Sequence, residues 1–234
     1  MSDAPSPQSQ RIATLMEGPL HADLKSWYQE PGDEAEVPVD GRQVDIVRGE
    51  LLIEIQTSGF AAIRRKLESL VRSHPVRLVH PVPLARWIVR VKGRGHQVVG
   101  RRKSPRKGRL EDVFEELVSL RGLLAHPNFS IELLLTHEEE VRRRAPGRAW
   151  RRKGWAVLER RLIEVVERHL IRDALDLRRF LPPGLQTPFT TADLAERLGL
   201  RRDLAQKMVY CLRESGTIEA VGKNGNSVLY LVAA

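Results

Sequence analysis

Gln43-Val44-Asp45-Ile46-Val47-Arg48-Gly49-Glu50-Leu51-Leu52-Ile53-Glu54-Ile55-Gln56 decides how this chain is read. Two runs rich in β-branched residues flank Gly49-Glu50, and Gly at the first central position suits a two-residue type II′ hairpin turn. In that register Arg48 faces Leu51, so Asp45 falls opposite Glu54. Side chains alternate along a strand, so Glu54 and Gln56 share one face while Leu51, Ile53 and Ile55 take the other. Directly opposed residues stand only ~4.5–5.5 Å apart at Cβ, where like charges destabilise. A divalent cation held between the two carboxylates turns that penalty into a site. The other reading is a solvated hairpin whose acids point into water.

The flanking segments extend the pattern. Pro19 to about Glu30 reads as a helix, with Pro at its first position and Leu20, Leu24, Trp27 and Tyr28 on one stripe. Ala35 to Val39 reads as an edge strand, because Pro38 cannot donate to a ladder on both sides. After the hairpin, Phe60, Ile63, Leu67, Leu70 and Val71 recur at helical spacing, and Val76 to His80 reads as a strand. The expected order is helix, three strands, helix, strand.

That order, with Asp45 on the second strand and Glu54-Ile55-Gln56 on the third, resembles the PD-(D/E)XK nuclease superfamily. The stretch from Leu20 to Val91 looks most like the nuclease region of the CoiA-like competence proteins, through His21-x-x-x-Lys25, Glu36, Asp45 and Glu54-Ile55-Gln56-x-Ser58. The resemblance implies a restriction-endonuclease-like αβββαβ core and a metal-dependent endodeoxyribonuclease. Asp45 and Glu54 would bind Mg²⁺ or Mn²⁺, Gln56 would help orient the attacking water, and His21, Lys25 and Glu36 would complete the catalytic surroundings. The superfamily's commonest third residue is Lys. Gln56 offers only a dipole and hydrogen bonds, so Lys25 is the candidate for the missing charge. Ser58 and Arg64 are candidates for phosphate contact, with Ser58 equally placed to cap the second helix.

The chain has 234 residues, 41% of them hydrophobic, and a formal net charge of +9, which suits a phosphate-rich partner. DNA is the expected partner, with RNA and a homodimer left open. No apolar run approaches the ~18 residues of a membrane span. A single cysteine, Cys211, excludes an internal disulfide and reads as core. Cytoplasmic location is the expectation. Eight Lys or Arg and no acid lie between Lys92 and Arg109. Lys92-Gly-Arg-Gly-His96 reads as a hairpin tip. Arg101, Arg102, Lys103, Arg106 and Lys107 read as a mobile phosphate-binding loop. The tryptophans read as core. A second basic tract runs from Arg142 to Lys153.

Leu110 to Leu124 has a helical pattern, Ile131 to Thr136 reads as a strand, and His137-Glu138-Glu139-Glu140 as a solvated turn. Trp155 to Arg179 reads as a long amphipathic helix striped by Leu158, Leu162, Val165, Val166, His169, Leu170 and Ala174, ended by Leu181-Pro-Pro-Gly184. The last fifty residues look like a winged helix: helix 192–198, helix 201–214, then two strands around Asn224-Gly225. Its outward candidates for DNA are Arg201, Arg202, Gln206, Lys207 and Arg213, with Lys223 on the wing. The expected organisation is a disordered tail (1–17), a nuclease-like domain (18–140), a basic linker and long helix (141–183), and a winged helix (184–234).

Overall fold

Alternating apolar residues and a glycine turn produce the hairpin in the expected register. A computed structural model describes residues 18–92, 97–145 and 154–233. The expected tail, the tip at Gly93–His96 and the end of the second basic tract lie outside the described residues. Helix α1 (Pro19–Tyr28) precedes β1 (Glu34–Val39), β2 (Arg42–Arg48) and β3 (Leu51–Ile55). Arg48 pairs with Leu51, Val47 with Leu52 and Ile46 with Ile53. Gly49 takes φ 57°, the positive dihedral that this turn needs at its first central position. Helix α2 (Phe60–Leu70) then carries the chain over, so that β4 (Val76–Lys92) runs parallel to β3, from Leu52↔Val76 to Ile55↔Val79. Parallel neighbours require such a crossover.

Beyond β4 come β5 (Gln97–Lys103), β6 (Phe129–Arg144) and β7 (Trp155–Ile171). The sheet is mixed, in the order β1-β2-β3-β4-β6-β7, with β5 paired to β4. The chain divides into two compact units. One comprises Pro31–Val82, Gly108–Leu135 and Val166–Ala234; the other comprises 18–30, Pro83–Lys107 and Thr136–Val165.

In the first unit α2 buries Phe60, Leu67 and Leu70 against Val44, Leu52, Leu78, Ile131 and Leu133 of the sheet. Each such side chain contributes about 1.5–3 kcal/mol. The single helix expected over 110–124 is instead a 3-10 turn (Leu110–Val113), helix α3 (Phe114–Leu117) and a second 3-10 turn (Val118–Leu120). Buried residues spaced by three, at Phe114, Leu117, Leu120 and Leu123, suit the tighter period. After β7, Asp173 caps α4 (Ala174–Leu177), its carboxylate accepting from Leu175 N and Asp176 N. Thr190 and Asp193 form a reciprocal cap on α5 (Thr191–Leu198), and α6 (Arg202–Glu214) follows. Strands β8 (Ile218–Asn224) and β9 (Ser227–Val232) close around Gly225, at φ 57°. Leu194, Leu204, Met208, Leu212, Ile218 and Tyr230 join the same core. Cys211 is buried there, and burial pushes its thiol up to about 12.

The second unit orders its strands β5-β4-β6-β7. Helix α1 buries Leu20, Leu24 and Tyr28, whereas Trp27 is 42% exposed and leaves the expected stripe. Asp23 of α1 accepts from Leu162 N of β7 at 3.0 Å. Two expectations about these strands are corrected here. Val76–His80, read as a short strand, is the start of one strand of 17 residues that runs on to Lys92. Arg101, Arg102 and Lys103, read as a mobile loop, lie in β5 and pair with Val89, Ile88 and Trp87.

The largest correction concerns the long helix over 155–179. Residues 155–171 form a strand, and only Ala174–Leu177 is helical. The apolar stripe satisfied a helical period, but Val157, Ile163, Val165, Val166 and Ile171 favour a strand, and pairing to β6 overrides helix propensity. Arg160 reaches Glu140 and Glu164 meets His137, partners that step in opposite directions along the two strands. His137 to Glu140 is accordingly strand, not turn, with Glu138 and Glu140 buried. Arg86 meets both glutamates, and Arg142 and Arg160 add to Glu140. Burial raises the Glu140 pKa, but those guanidiniums outweigh it and hold the carboxyl below its usual range.

Candidate functional site

The carboxylates of the hairpin gather through register. Val37 pairs with Val44 and Ala35 with Ile46, which puts Glu36 level with Asp45. The β2–β3 register continued past Ile46↔Ile53 puts Asp45 level with Glu54. Three acids therefore occupy one cross-strand row. Regular pairing gives way at this row. Glu36 adopts φ 54°, a left-handed conformation that is rare for a side chain of this kind and clusters at functional sites. Asp45 Oδ2 accepts the Ile55 N–H at 2.7 Å, taking the backbone donor that points toward β2.

Burial separates the three. Asp45 is 9% exposed and Glu54 4%, while Glu36 is exposed and accepts from Gln43 Nε2 at 3.4 Å. Lys66 of α2 places its ammonium 2.5 Å from Glu54 Oε1. Sequence reading missed Lys66; its position two turns into α2, on the side that crosses β3, was the available clue. Gln56 turns its amide to the Ser58 carbonyl at 2.5 Å, and its own carbonyl contacts His80 Nδ1 at 2.7 Å. Burial holds the His80 imidazole below its ordinary value, against the pull of that carbonyl and of Glu116. The Phe60 ring meets His80 edge-on at 4.8 Å.

Ser58 does not cap α2. Gly59 does, at φ 74°, and Glu116 accepts from Gly59 N and Phe60 N at 3.1 Å each. A carboxylate thus rests on the positive end of the helix. Arg64 is engaged with Glu68 at 2.6 Å. His21 and Lys25 stand one turn apart on α1 and belong to the second unit. Among the described residues, no group of three or more His, Cys, Asp or Glu is arranged to hold a metal ion.

Candidate nucleic-acid residues divide as well. Arg201 and Lys207 were expected to face outward from α6. Both bind Glu115, Arg201 at 2.9 Å, so they are tied to the α3 segment. Arg202, Gln206 and Arg213 instead line an open groove of about 340 Å³ with Tyr210 and Asn226. Lys223 is exposed on β8, and Arg106 and Lys107 are exposed beyond β5.

The described fold is a mixed α/β sheet followed by a helix pair and a hairpin. No helix among the described residues is long and apolar enough to cross a membrane. Residues 18–172 match the family described as a domain of unknown function, DUF8091, and the chain belongs to that family. The matched region ends where β7 ends. An uncharacterized protein of Treponema pallidum (strain Nichols) is 29% identical over 221 residues, covering 94% of this chain and 86% of that protein. No solved structure matches the chain.

Proposed function

We propose that this protein is a metal-dependent nuclease acting on DNA, built on a PD-(D/E)XK-like core with a C-terminal winged helix. The observation that carries the reading is the row Glu36–Asp45–Glu54, with an ammonium delivered to Glu54, one of its two buried members. The order α1-β1-β2-β3-α2-β4, with β3 and β4 parallel, supports it. So does the order α5-α6-β8-β9, which is that of a winged helix.

Asp45 and Glu54 offer the hard oxygen donors that suit Mg²⁺ or Mn²⁺, which binds through one or two carboxylates and keeps several waters. When bound, such an ion would activate a water and polarise the phosphate. The chain's own residues have distinct tasks. Asp45 is oriented by the Ile55 amide, whose N–H it accepts. Lys66 supplies beside Glu54 the positive charge that Gln56 lacks, and fixed charge at a developing oxyanion is a large contribution to rate. Arg202, Gln206 and Arg213 hold duplex along the α6 groove.

A second reading has an observation in its favour. Asp45 and Glu54 are nearly closed to solvent, as expected for a non-catalytic DNA-binding protein that keeps a degenerate nuclease fold. Plasmid incubated with Mn²⁺ or Mg²⁺ separates the two. The nuclease nicks or linearises it, and Glu54→Ala abolishes cleavage while duplex binding persists. Cleavage that survives Glu54→Ala overturns the site; binding without cleavage by the wild type selects the second reading.

A further inference from the structure

Strand β5 is exposed along its whole length and carries Arg101, Arg102 and Lys103 with no acid. Register sets Lys103 opposite Trp87 and Arg101 opposite Val89. Opposed residues share a face, so Arg101 and Lys103 stand on the Trp87 side and Arg102 on the other. Both cations lie over the indole, the Arg101 guanidinium 5.3 Å and the Lys103 ammonium 5.1 Å from the ring centroid. His137 of β6 also meets the ring, at 5.3 Å and nearly edge-on, and Glu164 contacts His137 at 2.5 Å. Arg101 also reaches Glu139 at 3.0 Å.

We propose that Trp87, Arg101 and Lys103 form a platform for an unpaired nucleotide strand. This rests on the nucleic-acid reading above and names a second substrate form for it. The argument is chemical. The indole is only half-buried and meets His137, while two exposed cations on long stems lie over it. Those cations can lift to phosphates, and the ring they leave accepts a base by stacking. Bases in a duplex are already stacked on each other, so the ring serves only an unpaired strand. The cations alone would serve either form.

The test uses the full chain and the anisotropy of labelled oligothymidylate, oligouridylate and a duplex, with polyglutamate as a charge-only comparator. Trp87→Leu weakens single-strand binding roughly 5- to 100-fold and leaves duplex binding unchanged, while Trp87→Phe retains most of it. Arg101→Gln/Lys103→Gln leaves the ring in place and lowers the salt slope of single-strand binding by about 1.4. An unchanged slope overturns the platform even if Trp87→Leu fails to fold. So do equal losses on duplex and single strand, or polyglutamate binding as tightly as either oligonucleotide. Tighter binding of one oligonucleotide identifies the sugar, and either result supports the platform. Duplex bound without single strand sinks the platform alone. Neither bound sinks the nucleic-acid reading with it.

Discussion

Glu140 on β6 and Glu54 on β3 are almost equally withdrawn from solvent, at 2% and 4%, yet the cations beside them differ in kind. Glu140 receives the guanidiniums of Arg142, Arg160 and Arg86, and Glu132 those of Arg168 and Arg77. Glu54 receives an ammonium, from Lys66. Guanidinium forks fix a carboxylate in place, whereas an ammonium is a point charge on a flexible stem. The β6 acids named here are accordingly held by forks, and Glu54 has a point charge beside it.

That contrast is breakable by mutation. Glu140→Ala leaves its guanidiniums facing one another without their counter-charge, and should cost about 3 kcal/mol in urea unfolding, with any cleavage per folded molecule intact. A cost near zero would remove the distinction. Lys66→Met should differ in its effect on rate. It takes the ammonium from a buried carboxylate and so also lowers stability, but cleavage per folded molecule falls about 100-fold; an unaltered rate would strip Lys66 of its role. The smallest effect is a pH dependence. Because burial lowers the His80 pKa below 6.5, the unfolded chain binds the proton more tightly. Stability is therefore complete above about pH 6.5 and declines as pH falls below it. Between pH 7 and 5 the midpoint should drop by ~2–4 °C, and His80→Gln should flatten that slope.

The hairpin was legible because its determinants are local: alternation along 43–56 and one glycine with a positive dihedral. Lys66 was not, because its meaning depends on which face of α2 crosses β3. Strand β7 misled for a related reason. Glu, Arg and Leu at helical spacing favour a helix in isolation, and only the glutamates and histidine of β6 reveal why those arginines sit where they do. The turn assigned to His137–Glu140 fails with it, since acids read as solvated when partners such as Arg160, Arg101 and Arg86 lie 20, 38 and 52 residues away. The basic run at 101–103 looked mobile for want of acids nearby in sequence; an indole across the ladder supplies the contact instead. Glu115, some ninety residues distant, pairs with Arg201 and Lys207, a contact that local spacing does not announce.

Asp23 has a consequence for life at high concentration. Strand β7 ends the sheet and displays Leu158, Ile163 and Val166 to solvent, the profile of a strand that recruits another chain. By occupying the Leu162 amide, Asp23 spends a donor that an incoming strand would need. One backbone donor of the outermost strand is thereby withdrawn from edge-to-edge pairing.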